Sequence, residues 1–451
     1  MKRLRLFICC FAGFVLACTL FAIVPQASAQ GGLRFIRDTE IENTIRVYVA
    51  PLFEAAGLDP GAVSVHIVND NNLNAFVAGG QRIFIHTGLL MQANAPGEVI
   101  GVLAHEIGHI TGGHLARMHQ GLKDATNQSI LALVLGGAAA LASGSPDVLV
   151  AGATASASVG QRSFLSYTRT MEQSADQAAL AFLDSTEQSA QGLLDFLELL
   201  SKQEKIFTAG GNPYMKSHPL TTARIDHVRE HIRKSPYSSK ETDLLLRSMH
   251  DRMRGKLKGF INPPAVTFRE FPPEDISMGA HYARAIAYSK AQETDTAVAI
   301  IDELIAASPT DPFLYELKGD LLIEGGRTQD AVAPYEKALE ILPWAALIKI
   351  SLARLQLENG GSGQLELARD NLIEALRYEP EMASAWRFLA TAEGRLGNHG
   401  AASLALAEEA MLRGNRGSAL AHSKRAMERL PEGSPGWFRA QDIESMAKKT
   451  E

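Results

Sequence analysis

Apolar residues recur at helical spacing over residues 38–56, where Ile41, Ile45, Val49 and Leu52 fall near one face. Asp38 or Thr39 is placed to cap that helix, and Gly57 and Pro60-Gly61 stop it. The period then shortens to two. Residues 63–68 alternate like a half-buried strand, residues 69–72 make a turn, and strands at 75–78 and 82–86 flank Gly79-Gly80. A short helix starts at Thr87. Pro96-Gly97-Glu98 opens a longer one, whose apolar run over residues 99–110 is broken by three polar groups, His105, Glu106 and His109. Beyond it, residues 130–142 and 148–159 are rich in Ala, Gly, Val and Leu, separated by Gly144-Ser145-Pro146-Asp147. Helical patterning returns over residues 162–183.

A different order begins in the last third. Pro309 and Pro343 stand 34 residues apart, and Pro380 follows after 37, with Gly360-Gly361-Ser362-Gly363 accounting for the excess. Tyr315, Gly319, Leu322, Ala331, Tyr335, Ala338 and Pro343 fit the tetratricopeptide pattern. The unit before keeps Ala285, Tyr288, Ala297 and Ile301, and the unit after keeps Ala353, Ala368, Leu372 and Ala375. Small residues at these positions let helix pairs nest into a concave binding surface. Glycine and proline gather over residues 255–273, which reads as a linker. The expected organisation is residues 1–29 as a signal peptide, 30–254 as one domain, 255–277 as linker and 278–451 as repeats.

The polar interruptions of the apolar helix carry chemistry. His105 and His109 are one turn apart and project from one face, so two imidazoles can grip one metal ion. Glu106 lies beside them, placed to take a proton from a metal-activated water. This His-Glu-x-x-His pattern is the zinc metallopeptidase signature. A third ligand histidine six residues after His109 is excluded, because Leu115 stands there. His114, nine residues after His105, is expected on the far side of a continuing helix. His66 and His86 read as sheet-surface histidines or as neighbours of the ligands, rather than as ligands themselves. The missing ligand is expected from residues 162–183, where Glu172 and Asp176 share a helical face. Glu172 completes a His₂Glu zinc site and leaves a fourth position open. Asp176 can accept the far N–H of a ligand histidine and fix its tautomer.

Composition and charge narrow the setting. The chain has 451 residues, 46% of them hydrophobic, and a net charge of −6. Without a basic excess, nucleic acid is not an expected partner. Lys2, Arg3 and Arg5 precede an apolar run over residues 6–24, and Ala27-Ser28-Ala29 offers a cleavage site after Ala29. A retained anchor is the alternative. Cys9, Cys10 and Cys18 all precede that site, so the processed chain has no thiol for a disulfide or a metal. The signal looks bacterial, hence a periplasmic location. The apolar stretch 128–160 admits three readings: a buried or lid-like hairpin, a surface that touches membrane or a hydrophobic client, or a membrane-crossing hairpin.

His105-Glu106-Ile107-Gly108-His109 with Glu172-Gln173-Ser174-Ala175-Asp176 resembles the gluzincin family of the HtpX and CAAX-prenyl endopeptidases. Ser217-His218-Pro219, followed by Arg224, is typical of that family. The resemblance spans residues 74–224, and the repeats point to its periplasmic, BepA-like branch. It implies a mainly α fold with a small β-sheet: a gluzincin-type α+β protease domain followed by an α-solenoid of tetratricopeptide repeats. It implies one zinc ion, unfolded or stalled outer-membrane proteins as clients, and the β-barrel assembly and lipopolysaccharide-export machinery as partners; peripheral contact with the membrane is one reading of the apolar stretch. His218 then reads as a fourth zinc ligand that silences the site, as a donor to the developing oxyanion, or as a plain turn histidine before a helix opened by Pro219. Arg224 pairs with Glu172, with Asp176 or with solvent. Tyr167 is a lesser oxyanion candidate. A non-proteolytic chaperone or scaffold, acting through the repeats with a latent zinc site, is the rival function.

Overall fold

The computed structural model describes residues 34–117, 168–206 and 213–449. The expected signal segment, the apolar stretch 128–160 and Tyr167 lie outside the described residues.

Helix α1 (Thr39–Ala55) starts where the Asp38 side chain accepts the Ile41 amide, and Glu40 and Glu42 place negative charge in its first turn. It buries Ile41, Ile45, Tyr48, Val49, Leu52 and Phe53 in the first core. Three strands follow in a small sheet: β1 (Ser64–Val68), β2 (Ala75–Ala78) and β3 (Arg82–His86). Strand β3 pairs parallel with β1 and antiparallel with β2, with Ala75 opposite Ile85. Among the described residues, strand β2 ends the sheet and has no ladder partner on its outer edge. Helix α2 (Thr87–Gln92) leads to α3 (Pro96–Thr111), which carries the two histidines. Its start is fixed by Glu98, whose carboxylate accepts the amides of Asn94 and Ala95. Helix α4 (168–185) and α5 (Gln191–Ile206) pack beside it. Short α6 (Pro213–Ser217) and α7 (Thr222–Lys234) close this part.

The stretch expected as a linker is a structured junction. Helix α8 (Leu244–Ile261) runs straight through Gly255, and α9 (Pro264–Glu270) begins at the two prolines. A Cβ on Gly255 would lie 2.1 Å from the Gly279 carbonyl oxygen, so this glycine serves close helix contact rather than looseness. Apart from Asn262-Pro263, only residues 271–277 of this stretch run without a helix.

From α10 (Met278–Lys290) the chain is wholly helical: α11 (Thr294–Ala307), α12 (Pro312–Glu324), α13 (Val332–Ile341), α14 (Ala346–Asn359), α15 (Ser362–Tyr378), α16 (Ala383–Arg395), α17 (His399–Leu412), α18 (Arg416–Met427) and α19 (Pro435–Lys448). Successive pairs share small apolar clusters built around alanines, such as Ala353, Ala368, Ala375 and Ala385. This is a solenoid of helical hairpins. No helix among the described residues is long and apolar enough to cross a membrane.

Candidate metal centre

Helix α3 is apolar on nearly every side, so its His105 and Glu106 are fully buried. Helix α4 reaches them because α3 carries Gly108: a Cβ there would stand 2.7 Å from the Ala175 carbonyl oxygen. That close crossing sets Glu172 and Asp176 against the histidines.

His105 Nε2 and His109 Nε2 are 3.0 Å apart. Glu172 spans both, with Oε2 3.3 Å from His105 Nε2 and Oε1 3.3 Å from His109 Nε2. His218 Nδ1 joins them, 3.1 Å from Glu172 Oε1 and 3.4 Å from His105 Nε2. One ligand atom from each of the four residues lies within 4.8 Å of every other. Two nitrogens, a carboxylate and a further nitrogen converging on one point are a donor set that suits zinc. The surroundings agree. Asp176 Oδ1 sits 2.8 Å from His105 Nδ1 and turns the other nitrogen of that ring to the centre. Arg224 donates Nε and Nη2 to Asp176, at 2.7 and 2.9 Å, and its Nη1 lies 2.8 Å from Glu172 Oε2.

Charge inside the cluster is strongly biased. Burial pushes Glu172 up, but His218, His105 and His109 outweigh it and hold the carboxyl well below the usual range. Burial likewise acts against Asp176, yet His105 and Arg224 bring it down to about 2. Burial lowers His105, but its contacts with Asp176 and Glu172 prevail and raise it to about 9. His109 is driven by burial down to about 3. The carboxylates thus demand a positive charge at this point, which a divalent ion supplies. Glu106 differs from all of these. Burial raises its pKa, and neither carboxylate oxygen has a hydrogen-bond partner among the described residues, although Oε1 lies 3.5 Å from His218 Nε2. A costly, unsatisfied carboxylate beside a metal point is a proton acceptor in waiting.

A cleft of about 450 Å³ opens over the centre, lined by Phe76 and Val77 of β2, by Ile110 and Met171, and by Glu106 and His218. The free sheet edge therefore borders the reactive groups.

Seven residues singled out from the sequence meet here: His105, Glu106, His109, Glu172, Asp176, His218 and Arg224. Thr221, not Pro219, caps the following helix, so Arg224 stands in its first turn and reaches both carboxylates. His66 stacks on Phe84, and His86 lies 3.7 Å from Asp70, both outside the cluster. His114 requires a correction. Helix α3 ends at Thr111, the chain reverses through Gly112 and Gly113 (φ +61°), and His114 folds back with Nδ1 3.0 Å from His109 Nδ1. The Gly-Gly pair was the signal for that stop. Tyr214, whose ring stacks on His218 at 4.5 Å, was likewise not anticipated.

Comparison with known proteins bears on this geometry. Residues 37–232 match peptidase family M48, and residues 282–346 and 360–419 match the tetratricopeptide repeat. The chain is 24% identical over 376 residues to the beta-barrel assembly-enhancing protease of Yersinia pestis, covering 82% of this chain and 75% of that one. It is 26% identical over 379 residues to a putative beta-barrel assembly-enhancing protease of Vibrio cholerae, with 82% and 76% covered. It is also 29% identical over 204 residues to the mitochondrial metalloendopeptidase OMA1 of Saccharomyces cerevisiae, with 44% and 54% covered.

Proposed function

We propose that this chain, a peptidase family M48 domain joined to tetratricopeptide repeats, is a zinc endopeptidase that cuts outer-membrane β-barrel proteins which have failed to assemble. The observation that carries this reading is the convergence of His105, His109, Glu172 and His218 on one point beside the unsatisfied carboxylate of Glu106.

His105, His109 and Glu172 would hold the zinc, whose Lewis acidity polarises a scissile carbonyl and brings water towards ionisation near neutral pH. Glu106 takes the proton from the attacking water and delivers it to the leaving amine. Its raised pKa suits a group that must hold that proton between the two transfers. Asp176 keeps His105 in one tautomer, and Arg224 braces both carboxylates of α4. The edge of β2 offers an extended client backbone a strand to pair with, directly above the centre.

His218 lies among the ligands rather than beyond them, 3.1 Å from Glu172, which supports its role as a fourth ligand in a resting, latent site. Unfolded β-barrel clients fit the names of the Yersinia and Vibrio relatives, which are called beta-barrel assembly-enhancing proteases. From the expected signal segment and the family resemblance we further infer a bacterial periplasmic location, with the barrel-assembly and lipopolysaccharide-export machinery as partners of the repeats. The latent geometry also favours a second reading, a chaperone or scaffold in which the repeats act and cutting is rare.

Glu106→Gln separates the two. With zinc content equal to wild type, the variant should cleave an unfolded β-barrel protein at least about 100-fold more slowly. Unchanged cleavage would sink the assignment of Glu106. Full rescue of a deletion phenotype by this variant would favour the scaffold.

A further inference from the structure

His114 has no place in the mechanism above, yet it is nearly fully buried, at 4% exposure, and lines the cleft beside His109. Its ring meets that of His109 edge-on, with centroids 4.9 Å apart and an interplanar angle of 80°. The two Nδ1 atoms are 3.0 Å apart. With no ion-binding point between these two, one nitrogen at that separation must carry the hydrogen and the other must present a lone pair. The ring of His114 is also pinned in place: it lies over Gly112, where a Cβ would fall 2.3 Å from its Nε2.

We propose that His114 is a positioning residue for His109, accepting the His109 Nδ1–H and thereby holding His109 Nε2 unprotonated towards the metal point. The inference rests on His109 being a zinc ligand, as argued above. The assignment follows from what each nitrogen faces. His109 Nε2 looks into the cluster, 3.0 Å from His105 Nε2 and 3.3 Å from Glu172, so a ligand lone pair is needed there. Its one hydrogen then belongs on Nδ1, and His114 Nδ1 is the acceptor found there, which leaves the His114 hydrogen on Nε2. His114 is therefore to His109 what Asp176 is to His105. The pair is built by a tight turn: α3 stops at Gly112-Gly113 so that the residue immediately after them can reach back five positions. The four convergent ligand atoms do not include His114, so it acts through His109 and not on the ion.

The test is zinc affinity of the full chain, read by competition with a chromophoric chelator, alongside thermal unfolding of the metal-free forms. His114→Leu should bind zinc about 10–100-fold more weakly than wild type. His114→Asn, whose Oδ1 stands where the imidazole Nδ1 stood, should stay within about threefold of wild type. Gly112→Ala should resemble His114→Leu, because its methyl group displaces the ring. Wild-type affinity in His114→Leu overturns the proposal, and so does equal weakening in the Leu and Asn variants, which would mark a packing role. Should the Leu variant not fold, nitrogen-15 NMR of the zinc-loaded wild type decides. Hydrogen on His109 Nδ1 and on His114 Nε2 supports the pairing, and the opposite tautomers overturn it. His109→Ala separates this inference from its premise. If that variant binds zinc like wild type, His109 is no ligand. If it loses zinc while His114→Leu keeps it, the positioning role alone fails.

Discussion

Arg224 is 2% exposed and answers two carboxylates at once, which makes it a structural hinge of the site as well as a neighbour of it. Removing one member of a buried ionic cluster leaves its partners charged and unpaired, at a cost of about 3–5 kcal/mol. Arg224→Met should therefore lower the urea stability of the metal-free protein by about that amount. Arg224→Lys should fall between, because a lysine cannot make the paired Nε and Nη2 contacts to Asp176. A change under about 0.5 kcal/mol in both variants would show that the carboxylates find other partners. At this scale the sequence was informative where spacing alone fixes geometry. His105 and His109 lie one turn apart in any α-helix, and so do Glu172 and Asp176. It was silent where the partner comes from a separate turn. Whether Arg224 met a carboxylate or water depended on Thr221 capping α7, and His114 was misplaced because α3 was extended past Gly112-Gly113.

Individual elements show the same division. The alanine pattern that marks the repeats reflects contacts between adjacent helices, so it survives in the sequence as a period. Gly255 and Gly259 read as part of a linker because the surfaces they meet, Gly279 and Ile286, lie more than twenty residues away. Helix α12 carries a further consequence of such meetings. Its Asp320 faces Lys256 of α8, Tyr335 of α13, Asp38 and Arg354, and Glu316 stands one turn before it. Burial raises Asp320 to about 6 against the opposing pull of Lys256 and the Tyr335 hydroxyl, and it raises Glu316 as well. Between pH 3.8 and about 6 the unfolded chain has released the Asp320 proton while the folded chain still holds it. Its contribution is thus complete below the unfolded value and disappears as pH rises through about 6. Asp320→Asn keeps an acceptor for Tyr335 and removes this dependence. Relative to wild type, the variant should gain on the order of 1 kcal/mol at pH 7.5 and lose that advantage by pH 4. Parallel urea midpoints at the two pH values would contradict this.

The molecule as a whole is held together by charge at the same junction. Lys256 is fully buried in α8 and sits 2.8 Å from Asp38 and 3.3 Å from Glu40 at the start of α1. Arg252, one turn earlier, lies 2.6 Å from Glu40 and also binds Asp311 at the head of α12. Arg37 reaches Glu379, deep in the repeats, at 2.7 Å. Ions taken out of water in this way are stable only while all partners stay in place, so the contacts tie the folding of the metal domain to that of the solenoid. The three tryptophans, Trp344, Trp386 and Trp437, all belong to the repeats. Their fluorescence therefore reports on the solenoid alone, while zinc binds far from them in sequence. Zinc at about 100 times its dissociation constant stabilises its own domain by about 2.7 kcal/mol. If the junction transmits folding, the tryptophan transition in urea must move up by a similar amount when zinc is added. Lys256→Met takes away the cation shared by Asp38 and Glu40, leaving Glu40 to Arg252 alone, and should weaken that shift in the repeats, while zinc still protects residues 39–111 from hydrogen exchange. A tryptophan transition indifferent to zinc in the wild-type chain would mean that the two parts unfold separately, and that Lys256 secures local structure only.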